Sequence, residues 1–185
     1  MSYSDIPGFS GFLWLYDQAV AEAKDGAVFV EVGVALGHSI AYLARKVIDS
    51  GKKIQIWGVD PWDGYARNGE QQSALGADGT PGDFTLFLRM MMKHAPEELE
   101  RVRVVRATSA YASLMLQVAD LVLIDGAHDY ESVFGDIMVW RERIRRGGIL
   151  AGDDHEPAYP GVQKACWEEF GNTYQVTGST WHKRM

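Results

Sequence analysis

Short apolar, β-branched runs that end in a glycine or an acidic residue alternate along this chain with stretches of helical periodicity, and that alternation leaves few folds open. Residues 27–33 (Ala27-Val-Phe-Val-Glu-Val-Gly33) are the first run; continuous apolar character over so short a span marks a strand covered on both faces. Ile40, Leu43, Ala44, Val47 and Ile48 then recur at helical spacing, with Gly51 in a stop position. Residues 53–60, 101–106, 119–125 and 149–153 read as four more strands. Between them, residues 83–94 read as a helix capped by Asp83 and ended by Pro96, and residues 109–117 as a short helix. Val133, Ile137, Trp140 and Ile144 line one face of another helix, closed by Gly147-Gly148, and residues 162–170 form a last one. An amphipathic helix within residues 1–25, carrying Phe9, Phe12, Leu13, Tyr16, Ala19, Val20 and Ala23, opens the chain. Two short strands, 173–177 and 180–184, close it around Gly178-Ser179, a spacing that favours a tight antiparallel hairpin. Repeated strand–helix units imply an α/β fold, a doubly wound and mostly parallel sheet with helices on both faces.

Length and composition narrow the setting. The 185 residues suit one domain, residues 1–185, and 46% hydrophobic content is enough for a sizeable core. Lys and Arg number 18 against 25 Asp and Glu, giving a net charge of −7. That balance disfavours a nucleic-acid partner, whose binding rests on neutralising many phosphates. No apolar stretch reaches the roughly 20 residues that span a bilayer, so no membrane association is expected. Residues 1–12 lack a basic segment followed by an apolar run, and the lone Cys166 can form neither an internal disulfide nor a Cys-x-x-Cys zinc site. A cytoplasmic location is the expectation. Residues 63–82 stand apart: five of the twenty are glycine and few are apolar, so they read as a long loop and a lid over a site.

In parallel sheets, ligands bind beyond the carboxyl ends of the strands. Those ends carry Glu31 to Ser39, Asp60 to Trp62, Thr108-Ser109, Asp125 to His128, and Asp153 to His155. The first turn, Gly33-x-Ala35-x-Gly37, has single-residue gaps where a pyrophosphate-binding loop would want a two-residue gap last. Its neighbour Glu31 is an anion, suited to a cationic aminoacyl group rather than to phosphates. Asp60 ends the second strand, where a carboxylate can accept hydrogen bonds from ribose hydroxyls. The plainer alternative is that the glycines serve tight packing and Asp60 is a solvated cap. Asp125, Asp153 and Asp154 would repel one another at two neighbouring strand ends unless protonated or shared by a cation. Oxygen-only ligands point to Mg²⁺ or another divalent cation such as Ca²⁺ or Mn²⁺. His128 lies in the same strand-end segment as Asp125, and imidazoles ionise near neutral pH, so it can take a hydroxyl proton as a general base. The alternative is a strand-and-turn cap at Asp153-Asp154 and a solvated histidine.

Three segments together carry a resemblance: Glu31-Val-Gly-Val-Ala-Leu-Gly-His-Ser39, Val59-Asp-Pro-Trp62 and Leu123-Ile-Asp-Gly-Ala-His-Asp-Tyr130. They resemble the class I S-adenosylmethionine-dependent methyltransferases, with most likeness to the macrocin O-methyltransferase-like group, many of whose members are metal-dependent. The resemblance implies a Rossmann-like seven-stranded sheet. It implies S-adenosylmethionine as cofactor, with Glu31, Gly33, Ala35, Gly37 and Ser39 around its methionine part and Asp60 at the ribose. Trp62 and Ser109 would lie near the adenine and Asp125 beside the cofactor. It supports Asp125, Asp153 and Asp154 as metal ligands, and Asp125 with His128 as the catalytic pair. Ala35 stands where a glycine is commoner, and Thr108-Ser109 lacks the acidic residue often found after the third strand.

The function implied is divalent-metal-dependent O-methylation of a hydroxyl on a small-molecule acceptor. A metal-independent N- or O-methyltransferase and a non-catalytic cofactor-binding module are the alternatives. Relatives in this group often self-associate, so a homo-oligomer is compatible with the resemblance.

Overall fold

The computed structural model describes residues 2–8, 11–62 and 84–185. The expected lid loop of residues 63–82, the Asp83 cap and the contribution of Phe9 to the first helix lie outside the described residues. The elements run α1 (Leu13–Glu22), β1 (Val28–Val32), α2 (His38–Ser50), β2 (Gln55–Asp60), α3 (Phe84–His94), α4 (Pro96–Leu99) and β3 (Val102–Arg106). They continue α5 (Ser109–Met115), β4 (Ala119–Ile124), α6 (Tyr130–Arg141), β5 (Ile144–Gly152), α7 (Pro160–Phe170), β6 (Gln175–Thr177) and β7 (Thr180–Arg184).

The seven strands form one sheet in the order β3-β2-β1-β4-β5-β7-β6. The first five are parallel, and β7 joins β5 and β6 antiparallel, which gives the Rossmann-like sheet with a C-terminal hairpin. All five residues of β1, the central strand, are buried, as a strand covered on both faces must be. Alternation then sorts its side chains between two cores. Phe29 packs with Ile56, Leu121 and Ala151 beneath α1, α2 and α3. Val28, Val30 and Val32 pack with Val122, Ile124 and Leu150 beneath α5, α6 and α7. Strand order reverses direction on either side of β1, between β2 and β4, so the crevice above those carboxyl ends is where this topology places a ligand. No helix among the described residues is long and apolar enough to cross a membrane.

Three boundaries differ from the sequence expectation. Pro96 does not merely end α3; it occupies the first turn of the separate short helix α4, where its missing N–H costs nothing. Ile144 and Gly147-Gly148 belong to β5, not to the preceding helix, which stops at Arg141. The pair Ala119↔Ile144 opens the β4–β5 ladder, and Gly147, at φ +83°, absorbs a register shift before pairing resumes at Leu121↔Ile149. Finally, α1 starts at Leu13, with Phe12 as its fully buried N-cap.

Candidate active site

The β1–α2 turn is held by a carboxylate. Asp60 Oδ2 accepts the backbone N–H groups of Val34 (2.9 Å) and Ala35 (3.0 Å), and its Oδ1 accepts that of Trp62 (2.7 Å). Ala35 sits at φ +48° and Trp62 at φ +44°, a region that costs an L-residue roughly 1 kcal/mol, and Asp60's bonds hold both ends of this strained arrangement. The indole N–H of Trp62 donates to the Ala35 carbonyl (2.8 Å). Trp62 is otherwise in the core, 4% exposed, with its ring against Phe84 and Phe87.

The two glycines of the turn answer to packing. A Cβ on Gly33 (φ +92°) would collide with the backbone carbonyl of Asp125, and one on Gly37 (φ +98°) would lie 2.6 Å from Met91 Sδ. Gly33 thereby brings the end of β4 directly against the turn. Glu31 is fully buried at the carboxyl end of β1. Its Oε2 accepts Tyr16 Oη and its Oε1 accepts Ser39 Oγ, each at 2.6 Å. Burial pushes its carboxyl up to about 7; the Ser39 and Tyr16 hydrogen bonds hold it down, and the charge of Asp60 adds to the rise. Glu31 therefore meets the crevice through Ser39 and through its field, with no exposed surface of its own. Ser109 opens α5, and its Oγ accepts the Trp140 indole N–H (2.8 Å), tying α5 to α6.

The β4 and β5 ends form a second group. One ligand-type atom from each of Asp125, His128 and Asp154 falls within 4.8 Å of the others. His128 Nε2 lies 2.7 Å from Asp154 Oδ2, its ring packs on Tyr159 with centroids 4.5 Å apart, and its Nδ1 is buried with no hydrogen-bond partner. Asp154 is in the left-handed region at φ +60°. Burial, then the charges of Asp153, Asp154 and Glu31, push the Asp125 carboxyl well above the usual carboxylate range. Asp153, whose charge also bears on Asp125, is tied to the C-terminal hairpin through one oxygen. Its Oδ1 accepts Ser179 Oγ (2.6 Å) and Thr180 Oγ1 (3.4 Å) from the C-terminal hairpin. His155 joins that hairpin too, its Nε2 beside Tyr174 Oη at 2.9 Å. The structure thus brings together Asp125, Asp154 and His128, and Asp153, expected as a ligand with them, bears on Asp125 through its charge while its Oδ1 binds the hairpin.

The methyltransferase domain family profile matches residues 30–155, which run from β1 through both groups. The chain belongs to this family. It is a class I S-adenosylmethionine-dependent methyltransferase, and the solved structures it resembles share the fold. CalS11, a TDP-rhamnose 3′-O-methyltransferase of calicheamicin biosynthesis, is 17% identical with a TM-score of 0.65, covering 93% of this chain and 76% of its own. NovP, an O-methyltransferase, is 20% identical with a TM-score of 0.61 over 93% of this chain and 78% of its own. The cofactor-bound Rv0187 from MTB is 16% identical with a TM-score of 0.66 over 97% of this chain and 84% of its own. Among curated proteins, none matches the sequence.

Sequence reasoning missed four residues of this methyltransferase's site region: Tyr16, Tyr159, Ser179 and Thr180. Only Tyr16 carried a signal, since a tyrosine on an apolar helical stripe must find a partner for its buried hydroxyl.

Proposed function

We propose that this methyltransferase transfers the methyl group to a hydroxyl of a small-molecule acceptor, at a centre built from Asp125, His128 and Asp154 that also takes a divalent cation. The observation that carries this reading is the convergence of those three side chains within 4.8 Å at the β4 and β5 ends, with Asp125 backed against the β1–α2 turn. The similarity to CalS11 and NovP, both O-methyltransferases by name, supports the reaction class. The net charge of −7 supports a small acceptor over a phosphate backbone.

The donor set fits a divalent cation. Carboxylates suit Mg²⁺ or Mn²⁺, and Asp125, whose carboxyl is pushed up by its acidic neighbours, is the group such a charge would relieve. Asp125 and Asp154 would hold it, with Asp153, which binds Ser179 and Thr180 through Oδ1 only, as the third carboxylate. The cofactor region fits S-adenosylmethionine through the Asp60-braced turn and the buried charge of Glu31 behind it. The cofactor supplies an electrophilic methyl, and a bound cation would acidify the acceptor hydroxyl. His128 receives the hydroxyl proton at Nε2. That nitrogen lies against Asp154, so it accepts a proton only when Asp154 has turned to another partner. Tyr159 holds the ring in place meanwhile. Oriented reactants supply a large share of the barrier reduction in such in-line transfers.

Mn²⁺ titration of chelator-treated protein tests the centre. Wild type binds one equivalent, and Asp154→Ala weakens binding by about 10–100-fold or more. Equal binding by wild type and Asp154→Ala, or full methyl transfer in exhaustively chelated buffer, would leave the His128–Asp154 hydrogen bond as a metal-free acid–base pair instead.

A further inference from the structure

The N-terminal helix α1 supplies one hydroxyl to the most deeply buried carboxyl group of the cofactor region. Tyr16 is fully buried, and its phenol donates to Glu31 Oε2 at 2.6 Å. Ser39, in the first turn of α2, donates to the other oxygen at the same distance. Glu31 thus links three elements in one line: α1, the end of β1, and the helix that follows the cofactor turn. Its carboxyl is wholly shielded from solvent, and both of these hydrogen-bond donors are neutral hydroxyls. The titratable groups around it are Tyr16 from α1, Asp60 at the end of β2 and Asp125 at the end of β4, and both carboxyls oppose its ionisation. Charge on Glu31 is therefore maintained by the two hydroxyl donors alone.

We propose that Tyr16 is a positioning residue for cofactor binding: through its hydrogen bond it favours ionised Glu31 and keeps Ser39 oriented, so that the buried negative charge attracts the α-ammonium group of the cofactor's amino-acid end, which S-adenosylhomocysteine shares. The inference rests on the cofactor reading above and extends it to an element outside the matched family segment, which begins at residue 30. A desolvated charge acts over several ångströms in a medium of low dielectric, so Glu31 needs no direct contact to be felt in the crevice. Loss of one of its two donors favours the protonated form, and the attraction fades with the charge. Cofactor affinity in wild type then rises with pH as Glu31 ionises, near neutrality, and binding releases a proton.

S-adenosylhomocysteine is the probe, titrated calorimetrically into the full-length protein from pH 6 to 9. Wild-type affinity climbs through neutrality. Tyr16→Phe, which removes only the hydroxyl, lowers affinity roughly tenfold near pH 7 and moves the climb to higher pH. Ser39→Ala shifts it in the same direction, and Glu31→Gln flattens it. A packing role alone would lower the melting temperature of Tyr16→Phe and leave affinity and pH midpoint unchanged; that result overturns the inference. Should Tyr16→Phe fold poorly, Ser39→Ala and Glu31→Gln decide alone: a Glu31→Gln profile identical to wild type overturns it equally. Failure of wild type itself to bind at any pH would instead reject the cofactor reading on which the inference stands, a distinct outcome.

Discussion

The two ends of the crevice are built on opposite principles. At the β1–β2 end both carboxylates are answered from within the chain: Asp60 takes three backbone N–H groups, and Glu31 takes two hydroxyls. At the β4–β5 end His128 Nδ1 is buried without a partner, and Asp125 stands among carboxylates that push it toward neutrality. Saturated groups fix a shape before any ligand arrives, whereas under-satisfied ones wait for a ligand to complete them. The contrast agrees with the proposed division, preorganised cofactor binding at the first end and proton and cation chemistry at the second.

The largest expected effect breaks the second end. His128→Ala lowers turnover on a responsive acceptor by about 10²–10⁴-fold and leaves S-adenosylhomocysteine binding within about twofold of wild type. Rate at saturating acceptor, measured beside calorimetric affinity, checks this; a parallel loss of both would dissolve the division between the ends.

The next effect comes from burial at the first end. The folded protein keeps the Glu31 proton up to about 7, whereas an ordinary glutamate gives it up near 4.5. Between those values the folded state binds more protons than the unfolded state, so this group's contribution to stability is full below 4.5 and is lost as pH rises through 7. The loss is about 3 kcal/mol by order of magnitude. Glu31→Gln should lack it, so chemical denaturation from pH 5 to 8 should show the gap between variant and wild type moving by that amount in the variant's favour. A constant gap would mean that Glu31 is ionised throughout.

Asp60→Ala should weaken S-adenosylhomocysteine binding by about 1.5–3 kcal/mol, the scale of a charge-assisted hydrogen bond. Because Asp60 also braces Val34, Ala35 and Trp62, the variant should lose stability as well. Unchanged affinity in a folded variant would remove Asp60 from the site and leave it as a brace alone.

The smallest effect sharpens the picture of the turn. Ala35 holds φ +48° under Asp60's restraint, and Ala35→Gly should relieve strain worth about 0.5–1 kcal/mol, partly offset by the greater freedom of glycine in the unfolded chain. Urea denaturation should therefore find the variant equal to wild type or slightly more stable. Marked destabilisation would show that the Ala35 methyl packs to advantage.

The strand–helix alternation, the acidic strand ends and the order of elements were legible in the sequence, because burial on both faces of a parallel sheet writes a short β-branched run such as 28–32, interrupted only by Glu31, and helices write their 3.6-residue stripe. So were Asp60, Asp125, His128 and Asp154 as residues at strand ends. Tertiary structure decided the rest. Gly147-Gly148 reads as a helix stop, yet β5 runs through these residues, because Ile144 and Ile149 on either side pair with β4 and the glycines exchange backbone hydrogen bonds with Met185, distant partners that leave no local trace. Gly33 and Gly37 read either as cofactor glycines or as packing glycines, and only the tertiary structure shows the close approach of Asp125 and Met91 that excludes a side chain there. Asp153 and Asp154 are chemically identical neighbours; the hairpin hydroxyls of Ser179 and Thr180 claim one oxygen of the first, and the left-handed backbone at the second turns its carboxylate to His128. Adjacent side chains at the end of a strand leave it in different directions, and what each one meets depends on what the distant chain brings there.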